Sequence, residues 1–172
     1  TPYFEYESRS FKNEMTTEIK SIDPNAEIYY TFLGPNESPK EYKYEKPIRI
    51  NSSLGIEAYV KKGENVSNSV KAEFYKRPND YEISITSKVH PLYTAGGPEA
   101  LLDGIKGTEN WRKGDWQGYQ GTDFEAIIDL KKPTKVTSVS AGFLQDARPW
   151  ILFPKKVEIG RASCGERVSV VV

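Results

Sequence analysis

Apolar and polar residues alternate in short runs through the first half of the chain. In AEIYYTF, Ala26 to Phe32, an extended backbone puts Ile28, Tyr30 and Phe32 on one face and Tyr29 and Thr31 on the other, which predicts a strand. KPIRI, Lys46 to Ile50, predicts a second strand, and Ile56, Ala58 and Val60, alternating with Glu57, Tyr59 and Lys61, predict a third. The turn Lys62-Gly63-Glu64-Asn65 then leads to Val70, Ala72 and Phe74, which alternate with Lys71, Glu73 and Tyr75, so the last two runs are expected to form a hairpin.

Pro78-Asn79-Asp80 interrupts this pattern with turn-forming residues, which places a domain joint near residue 79 and a first module at 1–78. Alternation returns from Tyr81 to Val89. A Gly-rich stretch from Ala95 to Thr122, with seven glycines and two tryptophans, then reads as loops laid over a core. Two further half-buried strands are expected, one with Phe124, Ala126, Ile128 and Leu130 on one face of DFEAIIDL, the other with Val139, Ala141 and Phe143 on one face of VTSVSAGFL. The segment from Glu158 to Val172 continues no pattern of the preceding chain.

Composition points the same way. Tyr (11), Phe (7), Trp (3) and Pro (11) are plentiful and helix-forming runs are missing, so an all-β fold is expected. Lysine plus arginine (24) balances aspartate plus glutamate (24), which gives a polyanion such as nucleic acid no long-range attraction. No apolar run approaches the ~20 residues of a spanning helix, so membrane insertion is not expected, and any export signal would lie outside this segment. The single cysteine, Cys164, cannot form an internal disulfide.

Residues 1–77 resemble the immunoglobulin-like module that follows the catalytic domain of chitobiases and β-hexosaminidases. The matching residues are Pro2 with Phe4, the IYYT of Ile28 to Thr31, Tyr44 with Pro47 and Ile48, the IEAYV of Ile56 to Val60, and Ser67 with Val70. The family's Asp-Gly turn after IYYT is replaced here by Phe32-Leu33-Gly34-Pro35. Residues 79–159 resemble the N-terminal part of a discoidin domain, also called the coagulation factor five/eight type C domain. Gly96 to Leu130, Val136 to Phe143, Leu144-Gln145-Asp146 and Trp150-Ile151 carry that likeness. This wording is similar to the version appended to bacterial family 20 glycoside hydrolases. The resemblance implies an immunoglobulin-like β-sandwich followed by a partial discoidin-type jelly-roll sandwich. EIGRASCGERV resembles the translation of a sequencing adapter, differing at Gly165, so residues 160–172 are expected to be a non-native tail, against the alternative of a genuine Val-rich terminal strand.

Family 20 hydrolases cleave N-acetylhexosaminides with a glutamic acid that protonates the leaving oxygen and a preceding aspartate that steadies the attacking acetamido group. No Asp-Glu dipeptide occurs in this chain, so the segment itself is not expected to be an enzyme. Asp103, Asp115, Asp123, Asp129 and Asp146 are scattered and read as solvated or turn-capping. The one histidine, His90, precedes Pro91 and reads as structural, and Gly96-Gly97 and Gly104 to Gly107 lack the spacing of a phosphate-binding loop.

Sugar-binding modules lay aromatic faces on the apolar face of a pyranose and satisfy its hydroxyls with polar groups at the rim. Tyr93, Trp111, Tyr119 and Trp150 are the loop aromatics that fit this role, with Arg112 and Arg148, and Asn110, nearby, against the alternative that each packs in the core or its loops, as large aromatics do in all-β folds. Trp116, just before a strand, is expected to pack inside the sandwich. No cofactor is required; by resemblance a structural calcium ion would involve Asp103 and Thr108, against the alternative that Asp103 closes an Asx turn before Gly104. These readings converge on a non-catalytic accessory, carbohydrate-binding region of a secreted, periplasmic or cell-surface bacterial β-N-acetylhexosaminidase. Its partners would be the catalytic domain of the same parent chain and glycans bearing N-acetylhexosamine or galactose-type sugars. The alternative is a stand-alone glycan-binding or adhesion module of a cell-surface protein.

Overall fold

A computed structural model describes residues 1–34, 40–161 and 167–171, and divides the chain into two compact units, Thr1–Pro78 and Asn79–Val172. Among the described residues the fold is all-β, with two short 3₁₀ turns and no α-helix. Among the described residues no helix is long and apolar enough to cross a membrane. Cys164, Gly165 and Pro35 lie outside the described residues.

The first unit is a two-sheet sandwich. Its strands are β1 (Tyr3–Glu5), β2 (Ser10–Phe11), β3 (Met15–Lys20), β4 (Glu27–Leu33), β5 (Glu41–Lys43), β6 (Ile48–Ile50), β7 (Leu54–Lys62), β8 (Asn65–Val66) and β9 (Val70–Lys76). One sheet has the order β1-β3-β6; the other runs β2-β9-β7-β4-β5, with β8 folded back on β7. The alternating runs lie in the second sheet, where Ile28 pairs with Val60 and Tyr30 with Ala58, and Ile56 pairs with Ala72. Gly63, at φ 59°, turns β7 into β8, a conformation that a Cβ would strain.

Period-two alternation sends one face of each strand inward. Ile19, Ile48 and Ile50 of the first sheet meet Phe11, Ile56, Ala58, Ala72 and Phe74 of the second in a single apolar cluster. Phe4, Ile28, Tyr30, Phe32 and Tyr44 pack around it. Thr17 is fully buried, and its hydroxyl donates to the Glu5 carbonyl at 3.2 Å, which satisfies the one buried polar side chain among the described residues of this core.

The second unit contains β10 (Glu82–Ile85), β11 (Glu125–Asp129), β12 (Glu158–Arg161) and β13 (Arg167–Val171), in the order β10-β11-β13-β12, all antiparallel. Ile83, Ile85, Ala126, Ile128, Val168, Val170 and Ile159 share one face, and Ala126 and Val170, directly paired, are both buried. β13 and the second half of β12 thus come from the segment expected to be a foreign tail. The strand expected over Val136 to Phe143 does not form, and Val136, Val139 and Phe143 are exposed. Among the described residues the run pairs with no strand of the sheet β10-β11-β13-β12, so its period alone does not bring it into a ladder.

Candidate functional site

Between β10 and β11 the chain runs as loops, and three of the sequence-nominated residues meet there. Tyr93 ends a turn, His90 to Tyr93, closed by the Tyr93 N–H donating to the His90 carbonyl at 2.9 Å. That turn is pinned to Gly118 by two backbone bonds, His90 N to Gly118 O (2.8 Å) and Gly118 N to Tyr93 O (2.9 Å). A Cβ on Gly118 would stand 3.0 Å from the Tyr93 Cβ, so glycine permits this close approach.

Trp111 and Arg112 sit on a 3₁₀ turn, Trp111–Lys113, capped at one end by the Asn110 side chain, which accepts from the Arg112 N–H at 3.1 Å. At the other end Gly114, at φ 83°, stops the turn. The Tyr93 and Trp111 rings meet edge to face, centroids 5.8 Å apart and planes at 82°, and the Arg112 guanidinium lies over the indole at 4.3 Å. His90 lies against Tyr93, 5.0 Å between centroids.

Tyr93, Trp111 and Arg112 line an open cavity of about 310 Å³ together with Leu92, Thr94, Ala95, Gly96, Gly114 and Trp116. Its Thr94-to-Gly97 wall holds three successive positive φ angles, at Ala95 (49°), Gly96 (90°) and Gly97 (119°). Ala95 pays for its left-handed backbone with strain on the order of 1–2 kcal/mol. Gln117 holds that wall in place: its Nε2 donates to Gly97 O at 2.6 Å and Thr94 O at 3.3 Å, while its Oε1 accepts from the Tyr119 hydroxyl at 2.7 Å. The Trp111 indole N–H is buried and meets no acceptor among the described residues.

The remaining candidates lie elsewhere. Tyr119 turns away from the cavity onto Phe124, 4.9 Å between centroids, and its burial raises the hydroxyl's pKa above the ordinary phenol value. Arg148 and Trp150 belong to a separate tight turn closed by the Asp146 and Ile151 backbones; Trp150 is 84% exposed at φ 62°. Trp116, expected inside the sandwich, is half-buried in the loops instead. Its indole N–H reaches the Thr108 carbonyl at 2.7 Å, and the ring rests on the bare backbone of Gly107, which no other residue would allow. Asp103 Oδ1 accepts from the Ile105 N–H at 2.7 Å, an Asx turn. No cluster of three or more His, Cys, Asp or Glu side chains suited to a metal ion occurs among the described residues. Gln117 was not nominated from sequence; its place between Trp116 and Gly118, inside the most distinctive string of the chain, was the available signal.

Residues 17–75, from Thr17 on β3 to Tyr75 on β9, match the protein family described as Fn3 associated. No curated protein matches the chain. The match fits the sandwich of the first unit and points to a β-sandwich accessory domain.

Proposed function

We propose that the chain is a non-catalytic accessory region of a secreted bacterial β-N-acetylhexosaminidase, and that its second unit holds the parent enzyme to glycan. The observation that carries this reading is the meeting of Tyr93, Trp111 and Arg112 at one open cavity. Tyr93, 38% exposed, offers apolar ring surface to a pyranose, and Arg112 offers up to five N–H donors to its oxygens. The Fn3-associated match in the first unit supports an accessory role, and the discoidin-like wording from Gly96 to Leu130 supports sugar binding by the second. Catalysis is assigned to the parent's own catalytic domain, because this chain has no adjacent Asp-Glu pair. Asp103 and Thr108, the candidate calcium ligands, do not line this cavity; Asp103 Oδ1 accepts from the Ile105 N–H and the Thr108 carbonyl from the Trp116 indole.

Calorimetric titration of the whole chain with the N-acetylglucosamine trimer and with galacto-oligosaccharide tests the proposal. Measurable binding that Tyr93→Ala and Trp111→Ala each abolish is expected, with no hydrolysis of a chromogenic N-acetylglucosaminide. Binding untouched by both substitutions would move the sugar site elsewhere.

A further inference from the structure

The cavity has an unbalanced chemistry. Among the described residues that line it, Arg112 alone carries a charge. Its guanidinium rests on the Trp111 ring, and no ion pair joins it to a carboxylate among the described residues. Asp115 and Glu99, close by in sequence, are not part of the lining and have partners of their own. A neutral sugar hydroxyl is served best by a donor and an acceptor together. The lining holds no carboxylate, and several carbonyls at and beside the wall are already engaged. Thr94 O receives the Gly97 N–H at 2.9 Å as well as the Gln117 amide, and Gly97 O receives the Ala100 N–H at 3.1 Å as well as the same amide. Tyr93 O receives the Gly118 N–H. The cavity's aromatic wall is thus paired with one cation, Arg112, and with no carboxylate among the described lining residues.

We infer that the glycan taken by this cavity carries a carboxylate: an acidic sugar of the hexuronic type, whose carboxylate faces Arg112 and whose ring lies along Tyr93. The inference rests on the reading of the cavity as a sugar site and narrows it. A planar carboxylate matches the fork of a guanidinium, and charge-assisted bonds of this kind are stronger than those to neutral hydroxyls. The indole beneath the guanidinium keeps the cation in place without neutralising it.

The test titrates the whole chain with trigalacturonic acid, with its fully methyl-esterified form, and with the N-acetylglucosamine trimer. Esterification removes the charge and keeps the ring. The expected result is binding of the acid about tenfold or more tighter than the ester, weakened by added salt, with the preference lost in Arg112→Gln. Arg112 is exposed, and near-ultraviolet circular dichroism of the tryptophans verifies that the variant keeps its fold. Equal affinity for acid and ester, or an unchanged preference in Arg112→Gln, overturns the inference while leaving a neutral-sugar site standing. Failure of all three sugars to bind overturns both it and the function proposed above.

Discussion

The hydroxyl of Tyr59 donates to the carboxylate of Glu41, Oη to Oε1 2.6 Å, across the outer face of the first unit's larger sheet. Tyr59 is on β7 and Glu41 on β5, with β4 between them, and the Tyr29 ring of β4 stacks on Tyr59 at 5.7 Å. The bond to Glu41, with some burial and the carboxylate's charge, pushes the Tyr59 pKa up to about 12 from the ordinary 10.

A pH dependence follows from that bond. The protonated phenol is the form the fold prefers, so its contribution is complete below pH 10 and is lost as pH rises toward 12. The melting temperature of the chain should therefore fall more steeply over this interval than that of Tyr59→Phe. Difference absorbance of phenolate between the two should show one late-titrating tyrosine, returned toward the ordinary value by Glu41→Gln. A tyrosine that titrates normally in the parent would remove this bond from the account.

The two units show what the sequence could reveal. Ile28, Tyr30 and Phe32, and Ile56, Ala58 and Val60, are legible because every inward position is apolar. β3 is hidden, since one of its two buried positions is Thr17, whose burial depends on a carbonyl twelve residues away that no local pattern announces. Val136 to Phe143 shows the opposite failure: the period is present, but a strand also needs a partner strand, and pairing is a property of the tertiary fold that the period does not encode. The loop aromatics were legible as a class. That Tyr93 and Trp111 meet while Tyr119 and Trp150 diverge depends on Gly118, Asn110 and Gln117, whose backbone and side-chain bonds have no period to read.

Phe74 is 1% exposed at the centre of the first unit, with Tyr6 and Phe4 rings edge-on at 5.3 and 6.4 Å. Phe74→Ala should cost about 3–5 kcal/mol, through lost burial and the cavity left behind. Against a total stability of roughly 5–15 kcal/mol for a domain, that leaves the first unit marginal. Urea unfolding followed by far-ultraviolet circular dichroism measures it, and a loss near zero would mean that this residue is not at the core.

Gly107 is a contact constraint, since a Cβ there would stand 2.3 Å from Cε2 and 2.6 Å from Nε1 of Trp116. Gly107→Ala should push the indole off the backbone, break its bond to the Thr108 carbonyl and cost about 1–3 kcal/mol of overpacking. Trp116 also lines the cavity, so sugar affinity should fall with it. Tryptophan emission shifted to longer wavelength, together with weaker binding, is the expected pair of readouts; unchanged emission would count against the packing described here.

Gln117 separates positioning from contact. It does not line the cavity, yet its amide bonds Gly97 O and Thr94 O, and its carbonyl takes the Tyr119 hydroxyl. Gln117→Leu keeps the approximate volume, removes all three bonds, and leaves the half-buried Tyr119 hydroxyl without that acceptor, at a cost of about 1–3 kcal/mol. Tyr119→Phe gives up only the last of these bonds and does not free the wall. If Gln117 acts by holding Ala95 and Gly96 in their left-handed conformation, Gln117→Leu should weaken sugar binding severalfold while Tyr119→Phe leaves it nearly intact. Both should lower the melting temperature. Because only the wall carries the effect on affinity, Gln117→Glu is the third arm: its carboxylate can still receive the Tyr119 hydroxyl but cannot donate to Gly97 O, so it should bind sugar as poorly as Gln117→Leu. A Gln117→Glu variant with full affinity would show that the wall keeps its shape without the amide, and Gln117 would then be a packing residue with no part in the site.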